Sequence, residues 1–130
     1  KAYGLDNLAI QNVYRSVVVA KLMYAAPAWS GFLSSNDRLC INSMLKRSQK
    51  CGYCSTLLPT FDELSTQADQ QLFKSIRTNR THVLRQILPP LSTASQRNLR
   101  HRQHEFSLPE HTSNIADSNY LMRILYQNIY

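Results

Sequence analysis

The sequence predicts an all-α fold: a small bundle of four to five helices with a long polar connection before the last. Three observations carry this. The 130 residues hold only 3 Gly and 5 Pro, too few for the turn-dense chemistry of an all-β chain. Apolar residues recur at the three-to-four spacing of one helix face rather than alternating. Cap and stop residues bracket most of these runs, and neither an internal repeat nor a strong hairpin signal interrupts them.

The first period is Ile10, Val13, Tyr14, Val17, Val18, then Lys21 and Tyr24, with Asp6 or Asn7 as the cap. The valine run favours strand locally, but the helical period extends on both sides of it. Pro27 disfavours helical geometry at Ala26 and should end the element. Ser34-Ser35-Asn36-Asp37 is a dense cap signal for a second helix, with Ile41, Met44, Leu45 and Ser48 on one side. Arg38, Lys46, Arg47 and Lys50 lie mainly elsewhere around it, and Gly52 fits its stop.

Thr60 with Glu63 three residues later reads as a capping box. The helix it opens carries Phe61, Leu64, Ala68, Leu72 and Ile76, and a break is expected near Asn79. A shorter period, Val83, Leu84, Ile87 and Leu88, must end at Pro89-Pro90. From Leu91 to about Ser113 the chain is polar and reads as an extended linker draped over the helices. Asp117 or Ser118 is then expected to cap a last helix with Tyr120, Leu121, Ile124, Leu125 and Ile129. The expected core is Val13, Val17, Tyr24, Trp29, Leu45, Leu64, Leu72, Ile76, Leu84, Ile87, Leu121 and Leu125.

The length fits one domain, or one domain plus a tail. The chain opens on Lys1 and reads as a fragment or processed piece. No apolar run approaches the roughly 20 residues of a membrane span; Val17-Val18-Val19-Ala20 is broken at Lys21. The expectation is a soluble, intracellular chain with no membrane partner and no small-molecule substrate. The formal net charge is +7, which favours polyanionic partners. The excess is concentrated early: residues 1–59 hold seven Lys or Arg against two acids, whereas residues 60–90 and 91–130 each hold four against three.

The basic second helix is therefore the best functional lead. Arg38, Lys46, Arg47 and Lys50 are the candidate nucleic-acid contacts, neutralising phosphates without reading bases. An ordinary solvated helix face is nearly as good a reading on composition alone. Cys51-Gly52-Tyr53-Cys54 offers two thiolates of a tetrahedral zinc set, but Cys40 is the one nearby thiol and His82, His101 and His104 lie at no finger spacing. The simpler reading is small apolar residues at a helix end, so no metal ligand is assigned. His101 and His104 sit among arginines and read as a solvated basic loop. The acids are scattered, Asp62 and Glu63 suit a helix's first turn, and no Walker loop or nucleophile elbow is present, so no catalytic residue is assigned either.

Tyr24-Ala25-Ala26-Pro27-Ala28-Trp29 has a bland reading, a helix end whose Tyr and Trp pack inward. It also resembles the Y-A-x-P-x-W stretch that follows the polymerase palm in LINE-type, jockey-like non-LTR retrotransposon reverse transcriptases. Its surroundings agree: Gly4-Leu5 before the helix through Val13 to Lys21, a basic helix ending near Lys46-Arg47 and Gly52-Tyr53, and Pro59 to Leu64. Ala68-Asp69, Leu72-Phe73, His82-Val83-Leu84, Leu88-Pro89-Pro90, Asn98-Leu99-Arg100, Leu108-Pro109 and Arg123 to Tyr126 follow in family-like order. The likeness spans nearly the whole chain, and order and spacing carry it rather than any single motif.

The resemblance implies a thumb-like helical domain over residues 1–90 and a polar linker with a carboxy-terminal helix over residues 91–130. It makes Tyr24, Pro27 and Trp29 structural family positions. It implies RNA template and DNA primer as partners, together with the palm and fingers of the same polyprotein, in nucleus and cytoplasm. The parent would be an RNA-directed DNA polymerase whose Mg2+ belongs to the palm; this stretch alone would be no enzyme and hold no cofactor. The rivals are a non-catalytic helical protein-interaction domain (a domesticated remnant) and a small zinc module on Cys40, Cys51 and Cys54.

Overall fold

The computed structural model describes residues 4, 6–55, 57–92 and 104–127. The fold is all-α, and no strand forms among the described residues. The helices are α1 (Asn7–Tyr14), α2 (Ala20–Met23), α3 (Ala26–Trp29), α4 (Ser35–Lys50), α5 (Phe61–Thr78), α6 (Asn114–Asp117) and α7 (Tyr120–Tyr126). The chain divides into two compact units, Lys1–Ala26 with Leu33–Ala68, and Pro27–Phe32 with Asp69–Tyr130. The expected boundary at residue 90 lies within the second unit.

In the first unit, α1 and α2 are joined by a π-helical stretch, Arg15–Val19, into one helical tract over residues 7–23. A wider i→i+5 ladder shifts the phase of the buried face. Tyr14 and Val19, five residues apart, are buried, and Val18 and Met23 pack beside them. Val13 and Val17, expected in the core, are therefore exposed. Tyr24 is corrected as well. The tract ends at Met23, Tyr24 adopts ψ 120° and Ala25 a positive φ of 49°, and this turn leaves Tyr24 80% exposed. Pro27 then opens a new helical turn instead of merely ending one; near a helix start its missing N–H costs nothing.

Helix α4 starts as expected. The Ser34 hydroxyl accepts from Asp37 N–H at 3.2 Å, and the Asp37 carboxylate accepts the Ser34 N–H at 3.2 Å. It stops at Gly52, whose φ is +72°. The Gly52 N–H donates to Gln49 O and the Tyr53 N–H to Ser48 O, a Schellman closure of the last carbonyls. Leu45 is the buried residue of α4. Helix α5 opens with the expected reciprocal box: Thr60 N–H to Glu63 Oε2 at 2.8 Å and Glu63 N–H to Thr60 Oγ1 at 3.3 Å. The Asn42 side chain of α4 accepts the first N–H of α5, from Phe61, at 3.0 Å.

In the second unit, Phe73, Ile76, Tyr120, Ile124 and Leu125 form the core. Leu72, Leu84, Leu88, Phe106, Leu108 and Leu121 pack against it. The break at Asn79 is present: α5 ends at Thr78, and the Asn79 side chain accepts from Thr81 N–H. The following period is a 3-10 segment, Val83–Ile87, not an α-helix. Its tighter winding leaves Val83 and Ile87 exposed, so Ile87 is a further correction to the expected core. The residues flanking 93–103 are pinned rather than draped. Ser92 N–H donates to Glu105 O and Ser107 N–H to Pro90 O, around an isolated antiparallel bridge from Leu91 to Phe106. The last helix is capped by Asn119, whose side chain takes the Leu121 N–H, and not by Asp117 or Ser118. Ile129, His101 and the Asn98-Leu99-Arg100 stretch lie outside the described residues.

Candidate nucleic-acid interface

The four candidate cations do not share a face. An α-helix advances about 100° per residue. Arg38 stands seven residues before the buried Leu45, so it falls within about 20° of the same direction. Lys46, Lys50 and Arg47 are turned about 100°, 140° and 160° away from Leu45. All three are exposed. Arg38 is instead half-buried, and its Nη1 donates to Asp62 Oδ1 at 2.5 Å, beside Asn42 Nδ2 on Asp62 Oδ2 at 3.4 Å. Arg38 thus ties the second turn of α4 to the first turn of α5, while Lys46, Arg47 and Lys50 form a contiguous cationic arc over its last two turns. The heptad interval to Leu45 was the signal that separates Arg38 from the rest.

The arc is held in place rather than floating. The Gly52 closure satisfies the end of α4, and Gln49 Nε2, on the same turn as Lys50, donates to Leu58 O at 3.1 Å. Cations in the last turn also complement the helix dipole. At the other end Asp37 stands in the first turn, and its hydrogen bonds from Ser34 hold its carboxyl below the ordinary value.

The remaining chemistry-bearing residues have structural positions. Cys54 is buried with Tyr14 and Val19, and burial pushes its thiol up; Cys40 and Cys51 are exposed. Among the described residues no three His, Cys, Asp or Glu side chains converge. The carboxylates have other duties: Asp37 and Glu63 cap, Asp62 meets Arg38, and Asp117 meets His111 Nδ1 at 2.9 Å. They do not fit a two-ion phosphoryl-transfer site. The expectation for His104 is corrected: it is buried, its Nδ1 accepts the Phe106 N–H, and its Nε2 therefore donates to Leu125 O at 2.8 Å. These contacts lock the ring into the second unit's core, so it is not a solvated loop histidine.

Sequence reasoning missed the most buried ion pair among the described residues. Asp69 stands on the inward stripe of α5, and Arg123 of α7 meets it from Nη1 to Oδ2 at 2.9 Å. Arg123 Nη2 also donates to the Pro27 carbonyl at 3.0 Å, and Tyr120 Oη donates to Asp69 O at 3.1 Å. Burial pushes the Asp69 carboxyl above its ordinary value, with Arg123 opposing, and pushes the Tyr120 phenol up as well. The Pro27 carbonyl thus has a partner, and Trp29 nearby is half-buried.

No helix of the described residues is long and apolar enough to cross a membrane. Comparisons with protein-family models, curated proteins and solved structures found no match to the chain.

Proposed function

We propose that this chain is the thumb-like part of a reverse transcriptase of a non-LTR mobile element, holding RNA template and DNA primer through their sugar–phosphate backbones. The observation that carries the proposal is the exposed arc of Lys46, Arg47 and Lys50 on a helix held through Asn42 and Gln49. Such an arc neutralises successive phosphates and reads no base. The order of the Tyr24, Pro27 and Trp29 stretch and the elements around it supports the same reading. In it, catalysis and its Mg2+ belong to a palm elsewhere in the parent protein, and the site of action is nucleus and cytoplasm. The test is the salt dependence of RNA–DNA duplex binding by the chain with Lys46, Arg47 and Lys50 changed to Gln. A slope equal to that of the unaltered chain would sink the assignment.

A second reading, a helical protein-interaction domain, is favoured by one feature. Leu8, Val13 and Val17 leave 57–64% of their surface exposed along the helical tract 7–23. Binding to a protein partner that is insensitive to salt, with no duplex binding, would select it. The zinc module has no comparable support.

A further inference from the structure

The second unit carries a groove of about 340 Å³ whose lining includes Arg77, Arg85, Pro90, Leu91, Glu105 and Phe106. Its construction differs from that of the α4 arc, since it combines cations with an apolar floor. The Arg77 guanidinium stands 5.8 Å from the centre of the Phe73 ring, and Phe73 meets Phe106 edge to face at 6.3 Å. Arg85 Nη1 donates to the Arg77 carbonyl at 2.9 Å, which brings the second guanidinium to the end of α5. On the other side, the hydrogen bonds from Ser92 to Glu105 and from Ser107 to Pro90 fix Leu91 opposite Phe106. Pro89 and Pro90 stiffen that wall. The floor is thus ordered before any ligand arrives, which limits the entropy lost on binding.

We propose that this groove binds one unpaired nucleotide of a single strand. Its phosphodiester lies between Arg77 and Arg85, and its base lies against Leu91 and Phe106. Arg77 and Arg85 bring two guanidinium groups to the lining, and the planar fork of a guanidinium suits the oxygens of a phosphodiester. The apolar floor suits a base, because every base presents a face to an aromatic or apolar surface. Glu105 in the lining accepts from a base amino group or a sugar hydroxyl. The inference does not rest on the thumb assignment, which stands on other residues in the first unit.

The test measures binding of a short oligouridylate to the whole chain across a salt series, with an abasic oligomer of equal length and a polyglutamate peptide as competitors. Arg77→Gln with Arg85→Gln should weaken binding about tenfold or more and lower the salt slope by about one. Unchanged oligouridylate binding in the Arg77 and Arg85 variant would overturn the proposal. Equal binding of the abasic oligomer would overturn the base contact, and equal competition by polyglutamate would make the groove a site for acidic peptides instead. Photocrosslinking of a thiouridine-substituted oligomer to the unaltered chain keeps the test independent of variant folding. Adducts are expected on peptides carrying Leu91 or Phe106, and adducts confined to other peptides would overturn the proposal.

Discussion

Asp69 shows how far one residue can depart from its pattern. It occupies the buried stripe of α5 between Ser65 and Phe73, where the apolar period offers Ala68 and Leu72 instead. Its partner Arg123 lies 54 positions away, so no local spacing announces the pair. A buried pair of this kind is costly to break, because the survivor is left as an uncompensated charge. Arg123→Met should lower unfolding free energy by about 3–5 kcal/mol, and adding Asp69→Leu should recover most of it, as read from urea melts. The two carboxyls Asp69 and Asp37 should also leave opposite marks on acid stability. Burial holds the Asp69 carboxyl above 3.8, so the folded chain binds that proton more tightly than the unfolded chain, and stability falls as pH rises from 3.8 through the raised value. Asp37 is held below 3.8, so its contribution is present above 3.8 and is lost as pH falls through the lowered value. Relative to the unaltered chain, Asp69→Asn should gain stability with rising pH above 3.8, and Asp37→Asn should lose it with rising pH below 3.8. Slopes of the same sign would contradict these two environments.

Gly31 belongs to the same cluster. A Cβ there would fall on the Ser118 carbonyl oxygen and within 2.6 Å of Arg123 Nε and 2.8 Å of Arg123 Cδ. Backbone on one side and a guanidinium fixed by Asp69 and Pro27 on the other leave little room to yield. Gly31→Ala should therefore cost about 1–3 kcal/mol, measured by the shift of the urea midpoint. A variant as stable as the parent would mean that Arg123 is free to move.

At the scale of elements, legibility follows the range of the interaction. The cap signal from Ser34 to Asp37 and the capping box of Thr60 with Glu63 were readable because each is a contact three residues apart. Gly52 was readable because a left-handed residue after a helix favours glycine. The π-helical stretch Arg15–Val19 was not, because its consequence is a change of phase, and three consecutive valines fit either phase. Tyr24 was misplaced for a related reason, since Pro27 signals an ending without fixing the residue at which the chain turns. His104 was misread because its partners, Leu125 O and Phe106 N, are backbone groups that no sequence motif records. The caps themselves can be weighed. Thr60→Ala removes the acceptor for the Glu63 N–H while Asn42 still holds the Phe61 N–H. It should cost about 1 kcal/mol, and a neutral result would show that Asn42 alone secures the start of α5.

For the molecule as a whole, composition located the charge but not its division of labour. The early half carries the excess of Lys and Arg, and within it α4 separates a structural cation from three exposed ones. That separation sharpens what a binding measurement should show. Each phosphate neutralised releases condensed counterions, so the slope of affinity against salt counts contacts and not their total energy. If the arc of Lys46, Arg47 and Lys50 lies along a duplex backbone, replacing all three by Gln should lower that slope by about two to three. Arg38→Gln is the internal control. Its guanidinium is engaged by Asp62, so its loss should loosen the junction of α4 with α5 and leave the slope unaltered. A slope that drops for Arg38→Gln as much as for any one of the three would return Arg38 to the interface and break the distinction drawn from its heptad spacing to Leu45. A slope that drops for none of them would remove α4 from nucleic-acid binding altogether.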